Sequence, residues 1–352
     1  MINKHIQSNI GGVIEFDSRF LLKKKDTSKV FRKGNFFSNG RSALLHILND
    51  LEDEGAKEIN VPLFCCDSII KTVQKTKLKL KFYSLNKNLE PKINPIKGTI
   101  ILVINYFGKN SAFIKKYEKN KNKNFFLIED ASHSFLNSLD LLNKKKHHVY
   151  LSMRKHSYLN VGGWANSKAC KLTTNNLFKK IFLESKKIKK RKQKFLKTNK
   201  YIKNENFFLE YFEKTEKKIS NTFSNETIPN LITEEFQSIN WQKIRKLRQE
   251  NWKILNKLLV KDYKGIFNKI MKDEIPLGFI LLVKDRDNLR KYLFKKRIFT
   301  SIHWPIKRKL SKENFKFDYM LANHIITIPV DQRYTKKDMQ YIAESILESG
   351  IK

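Results

Sequence analysis

The sequence has 352 residues, which is enough to bury a large core and to form about two domains. Its 40% hydrophobic and 12% aromatic content excludes a disordered chain, and no apolar run approaches the ~20 residues that span a bilayer. The net charge of +38 fits either a polyanionic partner or a compositional drift in which Lys, Asn, Ile and Phe are over-used. The lysines are scattered over every expected element, which favours drift and makes nucleic acid an unlikely partner.

Met1 to His5 has no secretory apolar region, so a cytoplasmic protein is expected. Gly11-Gly12-Val13-Ile14-Glu15-Phe16 reads as a short entry segment. Ser38-Asn39-Gly40-Arg41-Ser42 opens an amphipathic helix over Ala43 to Leu51. A strand at Glu58 to Val61, a helix near Ser68 to Val73 and an alternating strand at Leu78 to Tyr83 follow. Cys65 and Cys66 read as small apolar fillers on a strand, and Cys170 stands far off. With no Cys-x-x-Cys and no zinc spacing, no metal site is expected. Gly98 to Gly108 reads as one continuous apolar strand broken at glycine, with further strands at Phe125 to Ile128 and Val149 to Ser152. Apolar runs alternating with helices predict a mostly parallel sheet buried on both faces. Ligands of such sheets collect beyond the carboxyl ends of the strands, where Asn105, Asp130 and Ser152 fall.

From Leu177 to Lys218 the chain is strongly basic and predicts one or two helices. Their expected buried stripe is Phe207-Phe208-Leu209 with Tyr211-Phe212, and Lys186 to Lys194 reads as a solvated face, with a phosphate-binding face as the alternative. One helix after Pro229 carries Ile239, Ile244, Leu247, Trp252, Leu255 and Leu258. The last third alternates strand (Gly278 to Val283), helix (Asp287 to Lys296), strand (Ile325 to Pro329) and a closing helix, Thr335 to Leu347, capped by Thr335. The division expected is a large domain over 10–218, with a basic helical end, and a small α+β domain over 219–352.

One constellation carries chemistry. An apolar strand ends in Asp130, and Lys155 follows with Gly162-Gly163 beyond it, an arrangement suited to pyridoxal phosphate. The acid would face the pyridine nitrogen and the lysine would form the imine. Lys155 would then move the substrate's proton, which requires an unprotonated amine. Gly40 to Ser42 at a helix start is a ready anion site, to which Arg41 adds a charged contact and Ser152 a hydroxyl. His133 fits either a contact to the ring or a structural place. Phe64 fits either ring stacking or the core. His303-Trp304-Pro305 fits either the substrate mouth or a buried aromatic turn.

In this order the motifs resemble the DegT/DnrJ/EryC1/StrS sugar aminotransferases. The segments are Ser38-Asn39-Gly40-Arg41-Ser42-Ala43-Leu44, Val61-Pro62-Leu63-Phe64, Glu129-Asp130-Ala131-Ser132-His133, Lys155 with Gly162-Gly163, and Ile328-Pro329 with Asp331 to Tyr334, Asp338, Met339 and Ile342. The resemblance implies the type I fold of pyridoxal-phosphate-dependent transferases, with Lys155 catalytic and Gly40, Arg41, Phe64, Asp130, His133, Ser152 and Lys155 holding the cofactor. It also implies transamination of a nucleotide-linked keto-sugar by an amino acid such as glutamate, in surface polysaccharide or amino-sugar biosynthesis, and a homodimer with active sites between subunits. Three features depart from the pattern. Only two residues separate Ser152 from Lys155, as in a divergent Ser-x-Arg-Lys subgroup. Arg41 replaces a threonine. The asparagine segment by which a neighbouring subunit reaches the phosphate has no clear match, Asn221 and Ser224 being nearest. The alternatives are a dehydratase-like reaction on the same cofactor, against which retained Lys155 argues, and a non-catalytic basic protein binding nucleic acid or anionic membrane.

Overall fold

In the computed structural model, which describes residues 9–22, 34–120, 124–139, 142–168, 176–198, 203–220, 226–263, 267 and 269–352, the apolar runs assemble into an eight-stranded sheet. After a short β1 (Ile10–Gly11) the chain gives β2 (Asn35–Phe37), α1 (Gly40–Asp53), β3 (Glu58–Pro62), α2 (Asp67–Val73), β4 (Lys79–Leu85) and β5 (Pro91–Lys92). Then come β6 (Ile100–Ile104), α3 (Ala112–Lys119), β7 (Phe126–Asp130), β8 (His148–Ser152) and β9 (Gly163–Ala165). The sheet order is β2-β9-β8-β7-β6-β3-β4-β5. Its middle, β8-β7-β6-β3-β4, is parallel, while β9, β2 and β5 pair antiparallel. The sheet is therefore mixed at its edges.

Every residue of β6 is buried, as a strand covered on both faces requires, and each apolar side chain there contributes roughly 1.5–3 kcal/mol. The continuous strand expected to reach Gly108 stops at Ile104. Asn105 turns its side chain back, donating to Glu129 Oε1 at 2.7 Å and accepting from the Ser111 amide at 2.9 Å, and a 3₁₀ turn takes over at Tyr106–Gly108. The two adjacent cysteines lie beyond the end of β3, with Cys66 at the N-cap of α2, so they are not strand residues. Cys170 lies outside the described residues.

The basic region forms two helices, α4 (Asn176–Leu196) and α5 (Glu205–Ser220). Its burial departs from expectation in part, although Phe208 is buried as expected. In α5 only Phe208 and Ile219 are buried, and Phe207 and Leu209 are exposed. In α4 Lys189 and Lys192 are buried, so that face is not simply solvated. The single helix expected after Pro229 is two, α6 (Asn230–Gln237) and α7 (Trp241–Leu259), because Asn240 breaks the run and caps α7 by accepting from the Lys243 amide. The remainder is β10 (Phe279–Leu282), α8 (Arg286–Lys295), β11 (Ile298–Phe299), α9 (Lys316–His324), β12 (Ile325–Ile328) and α10 (Lys336–Glu348). Thr335 and Asp338 form a capping box on α10. β10 pairs antiparallel with β12, and β1 pairs with β11, which carries the N-terminal segment against the last third of the chain.

A buried ion cluster fixes that contact. Glu15 takes Lys192 Nζ at 2.6 Å and Arg333 Nη1 at 2.6 Å, and Arg333 also forks onto Asp331 at 2.7 and 2.9 Å. No described helix is long and apolar enough to cross a membrane, and no group of metal-ligating side chains gathers among the described residues.

Candidate active site

Two glycines explain how the site is assembled. Gly162 has φ +105°, and a Cβ there would lie 2.4 Å from Met153 Sδ; its amide donates to the Ser38 carbonyl at 2.7 Å. A Cβ on Gly163 would lie 2.4 Å from the Asn39 carbonyl oxygen. The pair thus lets β9 press directly on the start of α1, bringing that helix N-terminus to the carboxyl ends of β7 and β8. There Asn39 caps α1, its Oδ1 accepting from the Arg41 and Ser42 amides at 3.0 and 3.1 Å.

The resulting pocket, about 80 Å³, is lined by Gly40, Arg41, Asp130, His133, Ser152 and Lys155, together with Cys66, Tyr150 and Trp304. Six of the seven sequence-selected residues therefore meet at one place. Phe64 does not. It is fully buried, its ring 5.6 Å from Trp304 and 5.9 Å from Tyr106, and it does not line the pocket. Its apolar character reads the same for core and for stacking, and packing claims it; Trp304 and Cys66 face the pocket instead.

Asp130 ends β7, buried. Its carboxylate accepts from the Ser132 amide at 2.9 Å and from the Tyr150 hydroxyl at 2.7 Å. Burial pushes its pKa above the usual carboxylate value, while the Ser132 and Tyr150 hydrogen bonds and nearby Lys155 pull the other way. A carboxylate has room for further donors, so a cationic ring nitrogen can be accommodated. Tyr150 pairs with Asp130 in the sheet register and shares a strand face with Ser152. That two-residue alternation is the signal by which Tyr150 was findable and was missed.

His133 stacks on Trp304 (5.4 Å between centroids, 18° between planes) and lies against Phe107 (5.8 Å, 27°). Burial, then the charge of Lys155, holds it well below its ordinary pKa, so the ring is neutral. The Phe107 amide donates to His133 Nδ1 at 3.3 Å, which places the proton on Nε2. Arg41 donates to the Ile219 carbonyl at 2.6 Å, and Arg154 pairs with Glu216. Burial and then the like charge of Arg154 lower the Arg41 pKa. Two guanidinium groups with one carboxylate between them leave this end of the pocket positive.

Lys155 is half-buried, and among the described residues its amine has no hydrogen-bond or ion-pair partner. Burial, then Arg154, lowers its pKa, which favours the nucleophilic neutral amine. It also lines a second cavity of about 460 Å³, bounded by Gly11 and Gly12, Lys189, Arg248, His303 and Asp331 among others. Sequence reasoning missed Lys189, Arg248 and the Gly11-Gly12 turn as cavity residues. The donor set of the smaller pocket fits pyridoxal phosphate: a buried acid, stacked rings, an unpartnered amine and a positive helix start.

No family model matches the chain, and no curated protein matches it in sequence. Solved structures do. Spr1654 from Streptococcus pneumoniae, assigned as a sugar aminotransferase, superimposes in its PMP form with a TM-score of 0.67 at 12% identity, covering 96% of each chain. The sugar aminotransferase CalS13 from Micromonospora echinospora gives 0.60 at 14% identity over 90% of this chain and 87% of its own. A DegT DnrJ EryC1 StrS aminotransferase from Brucella abortus gives 0.58 at 13% over 90% and 85%. At such identities the likeness is one of fold. The chain has the α/β fold of the type I pyridoxal-phosphate-dependent aminotransferases, in the form adopted by the sugar aminotransferases.

Proposed function

We propose that this protein is a pyridoxal-phosphate-dependent aminotransferase that aminates a nucleotide-linked keto-sugar, with an amino acid such as glutamate as donor, for amino-sugar or surface polysaccharide synthesis. The observation that carries this reading is the unpartnered, half-buried Lys155 amine standing between a polar pocket that contains Asp130 and a larger cavity.

When bound, pyridoxal phosphate supplies an aldehyde that condenses with amines and a ring that withdraws electrons. The chain's own groups have separable tasks. Asp130 keeps a proton on the ring nitrogen, helped by Tyr150 and Ser132, which hold its carboxylate in place. Gly40, Arg41 and Ser152 receive the phosphate at the positive end. His133 presents Nε2–H, and its ring, braced by Trp304, forms an apolar wall that limits water. Lys155 Nζ would carry the proton between the substrate carbon and the cofactor's C4′, a task suited to an amine whose pKa burial has lowered. The larger cavity, within the size range of small-molecule sites, takes the substrates in turn. A homodimer with a neighbouring subunit completing the site belongs to the same reading; the nearest candidates for that contact, Asn221 and Ser224, lie outside the described residues.

The test is direct. Protein mixed with pyridoxal phosphate should turn yellow, and borohydride should fix the label on Lys155, read by peptide mass spectrometry. A preparation that stays colourless, or a label carried on another lysine, overturns the reading. Consumption of glutamate with a nucleotide keto-sugar panel then tests the substrate class.

A further inference from the structure

The larger cavity holds more positive charge than the protein itself neutralises. Beside Lys155, whose lowered pKa favours the neutral amine, three basic side chains line it: Arg154, Lys189 and Arg248. Its two carboxylates are already engaged, Glu216 with Arg154 and Asp331 with the fork of Arg333. Glu15, the acid whose charge acts on Lys189, is shared between Lys192 and Arg333. Among the described residues Lys189 therefore has no ion-pair partner. Its ammonium donates only to the Tyr158 carbonyl, at 2.5 Å, and faces the Phe212 ring at 5.8 Å. An ammonium has three N–H donors, so two remain, and the side chain is 3% exposed.

A buried cation without an ion-pair partner is costly, and the Tyr158 carbonyl and the charge of Glu15 offset that cost only in part. Burial lowers its pKa to about 7, Glu15 opposing the fall, so an arriving anion would restore the charge. Arg248, held by Gln332 at 3.0 Å and by two backbone carbonyls, is likewise without a carboxylate partner.

We propose that Lys189 is the anion anchor of the larger cavity, binding a carboxylate or phosphate group of the substrate and setting the substrate's orientation toward Lys155. This rests on reading the cavity as the substrate site of an aminotransferase. The group belongs either to the amino-acid donor or to the nucleotide diphosphate of the sugar, and both present anionic oxygens to an ammonium.

The experiment titrates the full chain calorimetrically with glutarate and with inorganic pyrophosphate, comparing wild type with Lys189→Met. In parallel, both proteins are loaded with pyridoxal phosphate and reduced, to measure labelling of Lys155. Loss of one charge-assisted hydrogen bond should weaken the preferred probe about tenfold to a hundredfold while Lys155 labelling is unchanged. Loss confined to glutarate assigns the donor carboxylate, and loss confined to pyrophosphate the nucleotide diphosphate. Equal affinity of wild type and variant for both probes overturns the proposal. So does failure of both probes to bind wild type, an outcome that leaves the cofactor reading standing if Lys155 is labelled. Weakened probe binding in a protein that never takes up pyridoxal phosphate keeps the anchor and removes the aminotransferase. Should Lys189→Met not fold, wild type is reductively methylated with and without saturating probe. Protection of Lys189 relative to exposed Lys257 supports the anchor, and no protection overturns it.

Discussion

Replacing Glu15 by glutamine should destabilise the protein far more than its single lost charge suggests. Glu15 is 5% exposed and bridges Lys192 and Arg333 at 2.6 Å each, while Asp331 supplies the second acid. Two acids balance two bases in this cluster. Glu15→Gln removes the carboxylate charge that both cations share, and breaking a buried pair this way costs about 3–5 kcal/mol. That is a large share of the roughly 5–15 kcal/mol by which a domain is stable. The pH dependence has a definite sign. Burial alone would raise the Glu15 pKa, but the charges of Arg333 and Lys192 overcome it and leave the group below its ordinary 4.5. A depressed acid contributes stability that is complete above its unfolded pKa and is lost as pH falls through the folded value. Urea unfolding followed by circular dichroism at pH 7 should show the full loss in Glu15→Gln, and the gap to wild type should close in acid. Adding Lys192→Met should recover much of the stability, since the stranded charge is then gone. A Glu15→Gln protein within about 0.5 kcal/mol of wild type at pH 7 refutes this reasoning.

Asp130→Asn keeps one carbonyl acceptor, enough for only one of the Ser132 and Tyr150 donors, and removes the ring-nitrogen counter-ion; equilibrium dialysis should show pyridoxal phosphate bound about 10–100-fold more weakly, with the melting temperature modestly lowered. Gly163→Ala forces a Cβ to 2.4 Å from the Asn39 carbonyl oxygen, so denaturant unfolding should register a loss of about 1–3 kcal/mol and α1 should move off the pocket. Lys155→Met should stabilise the cofactor-free protein by about 1 kcal/mol near neutral pH, because an amine whose pKa is lowered by folding opposes folding wherever it must carry charge; an unchanged or lower melting temperature counts against this.

Local signals carried much of this architecture. The Asn39 and Thr335 caps, the apolar runs of β6 and β7, and the position of Asp130 at a strand end can each be read from a few neighbouring residues. The split between α6 and α7 and the early end of β6 depend on single asparagine side chains, Asn240 and Asn105, whose bonds are made to groups the local pattern does not reveal. Burial was hardest where composition was uniform. In α4 and α5 lysine and phenylalanine recur so often that periodicity cannot say which face is covered, and it chose Phe207 and Leu209 over Lys189 and Lys192. Of the site, the residues contributed by β7, β8 and α1 were readable because the sheet's carboxyl edge brings them together. Lys189, Arg248 and the glycine turn were not, since they reach the cavity from elements far apart in sequence.

Trp304 gives the pocket an optical property. Of the four tryptophans, Trp164, Trp241 and Trp252 are buried away from it, and Trp304 alone lines it, half-buried against the neutral ring of His133. Whatever enters the pocket changes the surroundings of one indole and leaves three as an internal reference. The chain therefore carries its own fluorescent gauge of occupancy, with which ligand affinities can be read without a label and before any substrate is known.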